Sequence, residues 1–339
     1  MRAVVCTSLI GEAGLELRAD WPTPACAPNQ IRIKVHAASV NFPDTLIIRG
    51  RYQMRADPPF IPGNEASGVV IEVGADVQNF VVGDRVLTLS GTGAFAEEML
   101  ATPPFQQVHR IPDEMSWEDA AAFNLTYGTA GHGLIQRGHV QAGETVLVTG
   151  AAGGCGTAAV QIAVALGARV IAVAGGAEKC ALAKQLGAAE TIDHTALEPG
   201  ERALSTRVAE LTRGRGVDVF FDNVGAQEGS DDIRDLTRCV GWNGRYLVVG
   251  FAGGGIPRIA LNRTILRSIS FVGVAYGASA IVDPASNQKL FLQLFELYRE
   301  GKITPHIGHR FALEQTADAI RILSSRRALG KVIINTASE

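Results

Sequence analysis

The sequence predicts an α/β protein of two domains, a β-rich one followed by one built on a doubly wound parallel sheet. Three observations carry this reading. Up to about residue 123, short apolar runs are broken by turn residues, the texture of a small barrel or sandwich. Beyond residue 145, strand patterns alternate with helix patterns, as βαβ units on a parallel sheet require. The third is glycine: 38 among 339 residues, with no collagen-like period, against a usual share of ~7%. A chain of this length holds about two domains at ~150 residues each.

Composition narrows the class further. With 47% hydrophobic and 19% charged residues and a net charge of -3, the chain can fill buried cores and is not a disordered polyelectrolyte. The balance of 31 basic and 34 acidic residues gives no electrostatic case for nucleic acid or an anionic membrane as partner. Five cysteines, odd in number, widely spread and without a C-x-x-C, predict reduced thiols and a cytoplasmic protein. The N-terminal MRAVVCTSLIGEAG has no sustained apolar run, so no signal peptide is expected. Residues 145–168 carry no charge, but the glycine-rich break in their middle favours strand, turn and helix over a membrane span.

In chain order, 31–36 (IRIKVH) alternates as a half-buried strand does, and 67–73 and 85–89 are further strands. Ser116 with Glu118 and Asp119 marks a helix start, a side-chain cap followed by acids in the first turn. Then follow strand 145–149, helix 157–166, strand 169–174 and helix 178–186. Strand 217–222, helix 231–239 and strand 244–249 continue the alternation, and 268–274 adds a last strand. Residues 284–300 form an amphipathic helix with Leu290, Leu294 and Leu297 on one face. Helix 314–324 and strand 331–335 close the chain and return to the first domain.

The most informative passage is 145–156, TVLVTGAAGGCG. A strand entering a glycine turn that opens a helix is the context of a dinucleotide fingerprint. Backbone N–H groups and the helix dipole favour an anion there, and glycine lets a pyrophosphate approach. Of G-x-G-x-x-G, the first glycine is Ala151, whereas Gly153 and Gly156 match, with Gly154 and Cys155 between them. About 20 residues on, an NAD site wants an acid at the end of the second strand. Here stand Gly175 and Gly176, followed by Lys179, whose cation would suit a 2′-phosphate. NADPH is therefore expected rather than NADH, the alternative for Lys179 being a solvated helix residue. Cys155 is either a small buried replacement or an oxidation-sensitive thiol at a helix N-terminus.

Several pieces spread along the chain belong together: Asn41-x-x-Asp44, Arg49-Gly-Arg-Tyr52, PGNEASG at 62–68, GDRV at 83–86, GETVLV at 143–148, AAGGCG at 151–156 and GKV at 330–332. With these the chain resembles the zinc-independent quinone oxidoreductase (zeta-crystallin-like) branch of the medium-chain dehydrogenase/reductase superfamily. The resemblance covers nearly its whole length. It implies a GroES-like β-rich catalytic domain at 1–122, a Rossmann NADPH-binding domain at 123–264, and a last sheet strand and return to the catalytic domain at 265–339. It implies pairing as a homodimer through the 268–274 strand.

No metal site is expected. Zinc-dependent relatives place a thiolate where this chain has Asn41 and an imidazole where it has Asn64, and neutral amides are poor zinc ligands. The four-cysteine lobe of those relatives is missing, and His306 and His309 read as a loop pair. Without a Lewis acid, acceptors already primed for hydride fit best. The expected function is NADPH-dependent, zinc-free reduction of a quinone in the interdomain cleft. The alternatives are reduction of α,β-unsaturated carbonyls or enoyl thioesters, and a non-catalytic crystallin-type NADPH-binding protein.

By the same resemblance Asn41 and Tyr52 line the site beside the nicotinamide and Asp44 supports their loop. Tyr52 either donates to the oxygen gaining charge or only shapes the site. Thr126 corresponds to a residue at the domain junction that touches nicotinamide or phosphate, and Asn223, Val224, Gly250 and Phe251 to cofactor loops at the carboxyl edge of the sheet. Arg326 corresponds to an arginine near the 2′-phosphate, and His194 stands where a tyrosine often packs against it, an exchange that would make NADPH affinity pH-sensitive.

Overall fold

The computed structural model describes residues 1–103, 106–198 and 202–336. The chain divides into two units. The first comprises 1–125, 278–295 and 305–339, and the second 126–277 and 296–304. The expected boundaries were 1–122, 123–264 and 265–339. The strand after residue 264 pairs within the second unit's sheet, and the chain beyond residue 277 belongs in part to the first unit.

In the first unit the chain begins with a hairpin, β1 (Ala3–Cys6) and β2 (Leu15–Arg18). The alternation expected at 31–36 extends to ten residues as β3 (Ile31–Val40), followed by the short helix α1 (Phe42–Ile47). Strands β4 (Glu65–Val73), β5 (Arg85–Leu89), β6 (Glu98–Ala101) and β7 (Gln107–Arg110) follow. Helix α2 (Trp117–Ala121) opens at the expected cap, the Ser116 hydroxyl accepting the Asp119 N–H at 3.1 Å. Helix α3 (Asn124–Gly131) runs into a π-helical turn, His132–Arg137.

The second unit alternates as the pattern requires: β8 (Thr145–Thr149), α4 (Gly154–Ala165), β9 (Arg169–Ala174), α5 (Ala177–Gln185), β10 (Glu190–Asp193), α6 (Ala203–Thr212) and β11 (Val217–Asp222). A two-residue strand β12 (Ala226–Gln227), helix α7 (Arg234–Cys239), β13 (Val240–Val248), the short β14 (Gly254–Gly255), α8 (Asn262–Arg267) and β15 (Ser270–Gly273) complete it. Helices α9 (Tyr276–Val282) and α10 (Pro284–Arg299) lead back to β16 (Ile307–Ala312), α11 (Thr316–Ser324) and β17 (Lys331–Asn335).

Two sheets organise these elements. The first runs β16-β17-β3-β4-β5-β7, with β6 also on β3. Its inward side chains, among them Ile31, Ile33, Val70, Val86, Met99, Val332 and Ile334, pack with Ala319 and Ile320 of α11. The second is wholly parallel, ordered β10-β9-β8-β11-β13-β15. In order of appearance that is 3-2-1-4-5-6, the doubly wound order whose ligand crevice lies where the winding reverses, between β8 and β11. Its inner strands β8 and β9 are buried almost throughout, as a sheet covered by helices on each side demands. The uncharged 145–168 stretch is therefore strand, turn and helix. No helix among the described residues is long and apolar enough to cross a membrane.

Candidate active site

In the second unit the glycine turn sits at the winding reversal. Helix α4 begins at Gly154, three residues earlier than the expected 157, and its N-cap Gly153 brings no capping side chain. The first-turn N–H groups of Gly154 and Gly156 face the positive end of the helix, where a phosphate can be held. A Cβ on Gly156 would lie 2.1 Å from the Gly150 carbonyl oxygen and 2.7 Å from the Ala151 Cα, so only glycine lets α4 pack this closely on the turn. The Cys155 thiol points at the Thr126 carbonyl, 3.9 Å away.

Across the reversal, Asp222 ends β11 almost fully buried. It accepts the Thr149 hydroxyl at 2.6 Å, the Val224 N–H at 3.0 Å, the Gly225 N–H at 3.1 Å and the Tyr246 hydroxyl at 2.5 Å. Burial and this carboxylate hold the Tyr246 phenol in its protonated form. Asn223 donates to Thr149 through its backbone and its side chain (3.1 and 3.2 Å). The Ala252 and Gly253 N–H groups donate in turn to the carbonyls of Asn223 and Val224. The loops carrying Asn223-Val224 and Gly250-Phe251 are therefore one hydrogen-bonded rim at the carboxyl end of the sheet. Asp222 and Tyr246 belong among its builders and were not singled out from sequence. Their signal is a buried acid closing a strand.

At the end of β9 the His194 ring lies against Gly175, where a Cβ would come within 2.9 Å of His194 Nε2. Lys179 follows in the first turn of α5. The acid missing from the end of β9 arrives instead from the neighbouring strand. Asp193 Oδ1 accepts the Gly176 N–H (2.9 Å), the Thr195 N–H (2.9 Å) and the Thr195 hydroxyl (2.7 Å). These bonds, that of the Thr195 hydroxyl foremost, hold its carboxyl below the usual range. Arg326 belongs to the first unit, in a left-handed backbone conformation just beyond α11.

The first unit holds a buried polar cluster that follows from strand register. Val332 of β17 pairs with Val40, and Glu65 of β4 pairs with Ser39, so Lys331 and Glu65 flank the end of β3 from either side. There Lys331 Nζ donates to Asn41 Oδ1 at 2.7 Å and to Glu65 Oε2 at 3.1 Å. Asn41 Nδ2 donates to Glu65 Oε2 at 2.8 Å and to Asn64 Oδ1 at 3.1 Å. Glu65 Oε1 accepts the Leu125 N–H at 2.8 Å. Both ends of the Asn41 carboxamide are thus engaged inside the unit. Glu65 and Lys331 are 0% and 3% exposed at their side chains.

Asp44, fully buried, accepts the Asn41 N–H on Oδ2 at 2.7 Å, while its Oδ1 has no hydrogen-bond partner. Burial is the main cause that pushes its carboxyl up to about 7; the Glu65 charge adds to the rise, while the Asn41 N–H and the Lys331 charge oppose it. Tyr52, in the loop after α1, is half-buried, and its phenol is raised by burial and by the Asp44 charge. Asn41 thus lies in one hydrogen-bonded cluster with Asn64, Glu65 and Lys331, and Asp44 accepts its backbone N–H.

A doubly wound sheet with a glycine turn at its reversal, on one chain with a β-rich unit holding a buried ionic cluster, defines a two-domain oxidoreductase that uses a dinucleotide. Residues 154–296 match the zinc-binding dehydrogenase family and 27–113 the alcohol dehydrogenase GroES-like domain. The chain is 38% identical to the rat protein named quinone oxidoreductase-like protein 2, over 98% of this chain and 92% of that one. It superposes on the quinone oxidoreductase of Pseudomonas syringae pv. Tomato DC3000 with a TM-score of 0.87 at 32% identity, covering 99% of both chains. It superposes equally on Escherichia coli quinone oxidoreductase complexed with NADPH, TM-score 0.87 at 26% identity, over 99% of this chain and 100% of that one. The chain belongs to the quinone oxidoreductase family of the medium-chain dehydrogenase/reductase superfamily.

Proposed function

We propose that the protein is a zinc-independent quinone reductase drawing on NADPH. The observation that supports it above all is the Asn41–Asn64–Lys331 arrangement. Zinc takes thiolate, imidazole or carboxylate donors at ~2.0–2.3 Å. Here the corresponding positions hold two carboxamides bonded to each other, with an ammonium 2.7 Å from Asn41 Oδ1, a charge that repels a dication. A carbonyl that needs Lewis-acid polarisation is poorly served by such a site, and a quinone, already prone to accept hydride, is well served.

NADPH, the cofactor, supplies a hydride from C4 of its nicotinamide when bound. The first turn of α4 holds the pyrophosphate through Gly154, Cys155 and Gly156. Lys179, His194 and Arg326 are the candidates for the 2′-phosphate. The rim of Asn223, Val224, Gly250 and Phe251, with Thr126, bounds the nicotinamide end. Tyr52 donates a hydrogen bond to the substrate oxygen as its charge grows.

NADPH consumption measured across ortho- and para-quinones, enals and enoyl thioesters tests the reading. Quinones should turn over fastest. Turnover confined to enals or enoyl thioesters would overturn the quinone assignment, and tight NADPH binding with no turnover would favour a non-catalytic binder. Tyr52→Phe should lower kcat by about 100-fold, the smaller end of what a positioned proton donor contributes, and leave the NADPH Kd unchanged. Asn41→Ala should likewise act on kcat. A Tyr52→Phe enzyme with full kcat removes the phenol from the chemistry.

Cofactor choice has its own test. A charge-assisted hydrogen bond to phosphate contributes ~1.5–3 kcal/mol, so Lys179→Ala should raise the NADPH Kd about tenfold or more while that of NADH hardly moves. Equal affinity of the native protein for the two nucleotides would sink the preference. The reading also includes a homodimer formed along β15, an edge strand of its sheet. Leu261, Ile265 and Leu266 are exposed at and in α8, which packs on the adjoining β13. Sizing chromatography should show twice the chain's mass, and a monomer at micromolar concentration would exclude it.

A further inference from the structure

We propose that Asp193 sets how far the protein discriminates NADPH from NADH, its carboxylate accepting the ribose 2′-hydroxyl of NADH and opposing the 2′-phosphate of NADPH. The inference rests on the reading that Lys179 serves that phosphate, and it adds a residue from the neighbouring strand to the choice.

Topology puts the acid in place. In a doubly wound sheet the adenosine ribose lies beyond the carboxyl end of the second strand, and in an NAD site an acid there accepts its 2′-hydroxyl. That strand is β9, which ends on Ala174 and continues into Gly175 and Gly176, so it has no acid of its own to offer. The parallel register of β10 on β9 sets Asp193 level with Ala174, and the His194 N–H donates to the Ala174 carbonyl at 3.0 Å. The Ala151 N–H of the glycine turn donates to the Val173 carbonyl at 3.1 Å. The strand end that carries Asp193 alongside it therefore adjoins the turn that takes the pyrophosphate.

The corner is also shaped for a ligand. Asp193 Oδ1 accepts the Gly176 N–H, the Thr195 N–H and the Thr195 hydroxyl, all at 2.7–2.9 Å, which fixes the carboxylate. Among the described residues no donor reaches Oδ2, so that oxygen keeps its capacity to accept. Above Gly175 the space is closed, since a Cβ there would lie 2.9 Å from His194 Nε2 and 3.3 Å from the Thr195 methyl. Above Gly176 it is open, with nothing within 4 Å of a Cβ. The opening thus lies over the residue whose N–H binds the carboxylate.

Charge supplies the other half. Gly176 is the N-cap of α5, so Asp193 already takes an anion's place at that helix N-terminus. The first turn of α5 adds Glu178 and Lys179. The Cys180 thiol, raised by burial and by the Asp193 charge, stays neutral. Lys184 donates to the Ala189 carbonyl and Glu190 pairs with Arg169, both at the far end of β10. His194 is the other titratable group at the corner. A 2′-phosphate brought to this turn enters a field of one lysine and two carboxylates, and its preference over a hydroxyl is narrower than Lys179 alone would make it.

Titration of the full-length protein with NADPH and NADH, and with the fragments 2′,5′-ADP and 5′-AMP, tests this. Asp193→Asn keeps an acceptor for Gly176 and Thr195 and removes the charge. It should lower the Kd of NADPH and 2′,5′-ADP by about threefold to fivefold, the effect of one exposed charge pair. It should raise the Kd of NADH and 5′-AMP by about fivefold, the difference between a charged and a neutral acceptor. The gain for NADPH should fade at about 1 M salt, where the Debye length is ~3 Å. A merely structural role moves both nucleotides the same way; that result, or an unchanged ratio of the two, overturns the proposal. If Lys179→Ala leaves the 2′,5′-ADP Kd unchanged while Asp193→Asn still divides the nucleotides, the lysine assignment fails and the proposal stands. Should Asp193→Asn fold poorly, Thr195→Val decides, because it keeps the methyl over Gly175 and takes one donor from the carboxylate. NADH should then tighten and NADPH should not, and any other pattern overturns the proposal.

Discussion

Replacing Lys331 by methionine should destabilise the protein by about 3–5 kcal/mol, the cost of leaving one charge of a buried pair alone. The magnitude follows from burial. Arg321 and Asp318 form an ion pair exposed by more than half, and such pairs contribute ~0–1 kcal/mol. Lys331 and Glu65 have almost no exposure, and without the ammonium Glu65 is left with only the Asn41 and Leu125 donors. Adding Glu65→Gln to Lys331→Met should restore part of the loss, since removing both charges leaves none unpaired, with a coupling of ~0.5–3 kcal/mol. Urea denaturation of the native protein, both single variants and the double variant measures it. Additive losses would show that the two groups do not act as a pair.

Gly156→Ala should abolish useful NADPH binding, raising Kd by about 100-fold or more, roughly 2.7 kcal/mol. The added Cβ would meet two backbone atoms of the turn, at 2.1 and 2.7 Å, and backbone cannot swing aside as a long side chain can. Either α4 moves off the turn or the turn opens, and both disperse the N–H groups that hold the pyrophosphate. Gly153→Ala is the control for fold, because its Cβ would meet only the Gly150 carbonyl oxygen at 3.5 Å, an ordinary contact. Nucleotide fluorescence titration measures both. A Kd for Gly156→Ala within a few-fold of native would detach the turn from cofactor binding.

Much of the fold was legible because its signals are local. Strands 145–149, 169–174 and 217–222 stand in the structure with the expected bounds, each an apolar run closed by a turn residue. What escaped had weak local marks. Helix α3 and the π-turn after it lack charged first-turn residues and any clear amphipathic face, because residues such as Ala130, Tyr127 and Leu134 are buried around it. Strand β10 is only four residues long, too short for period-two alternation to register. Helix 231–239 begins at Arg234 because Asp232 spends its carboxylate on the Arg234 N–H and guanidinium instead of opening a turn earlier.

The site divides in the same way. The glycine turn and the Asn41–Asp44 loop are contiguous motifs and could be read directly. Glu65 and Lys331 lay inside quoted motifs, yet nothing local says that residues 266 apart meet across β3. Asp193 is instructive too. The strand end at Gly175-Gly176 carries no acid, and only the pairing of β10 with β9 brings one there.

That separation also has a bearing on how the protein is made. The second unit draws 126–277 from one continuous run, so its sheet can close while the rest of the chain is still being synthesised. The first unit cannot, because its central strand β3 lies between β4 and β17. At ~5–20 residues per second, the 266 residues between Glu65 and Lys331 represent tens of seconds of translation. During that interval the Glu65 carboxylate lacks the Lys331 ammonium, and residues 37–40 of β3 lack the β17 strand that later pairs with them. The β-rich unit therefore completes its sheet only when the C-terminal strand arrives, well after the nucleotide sheet has all its strands.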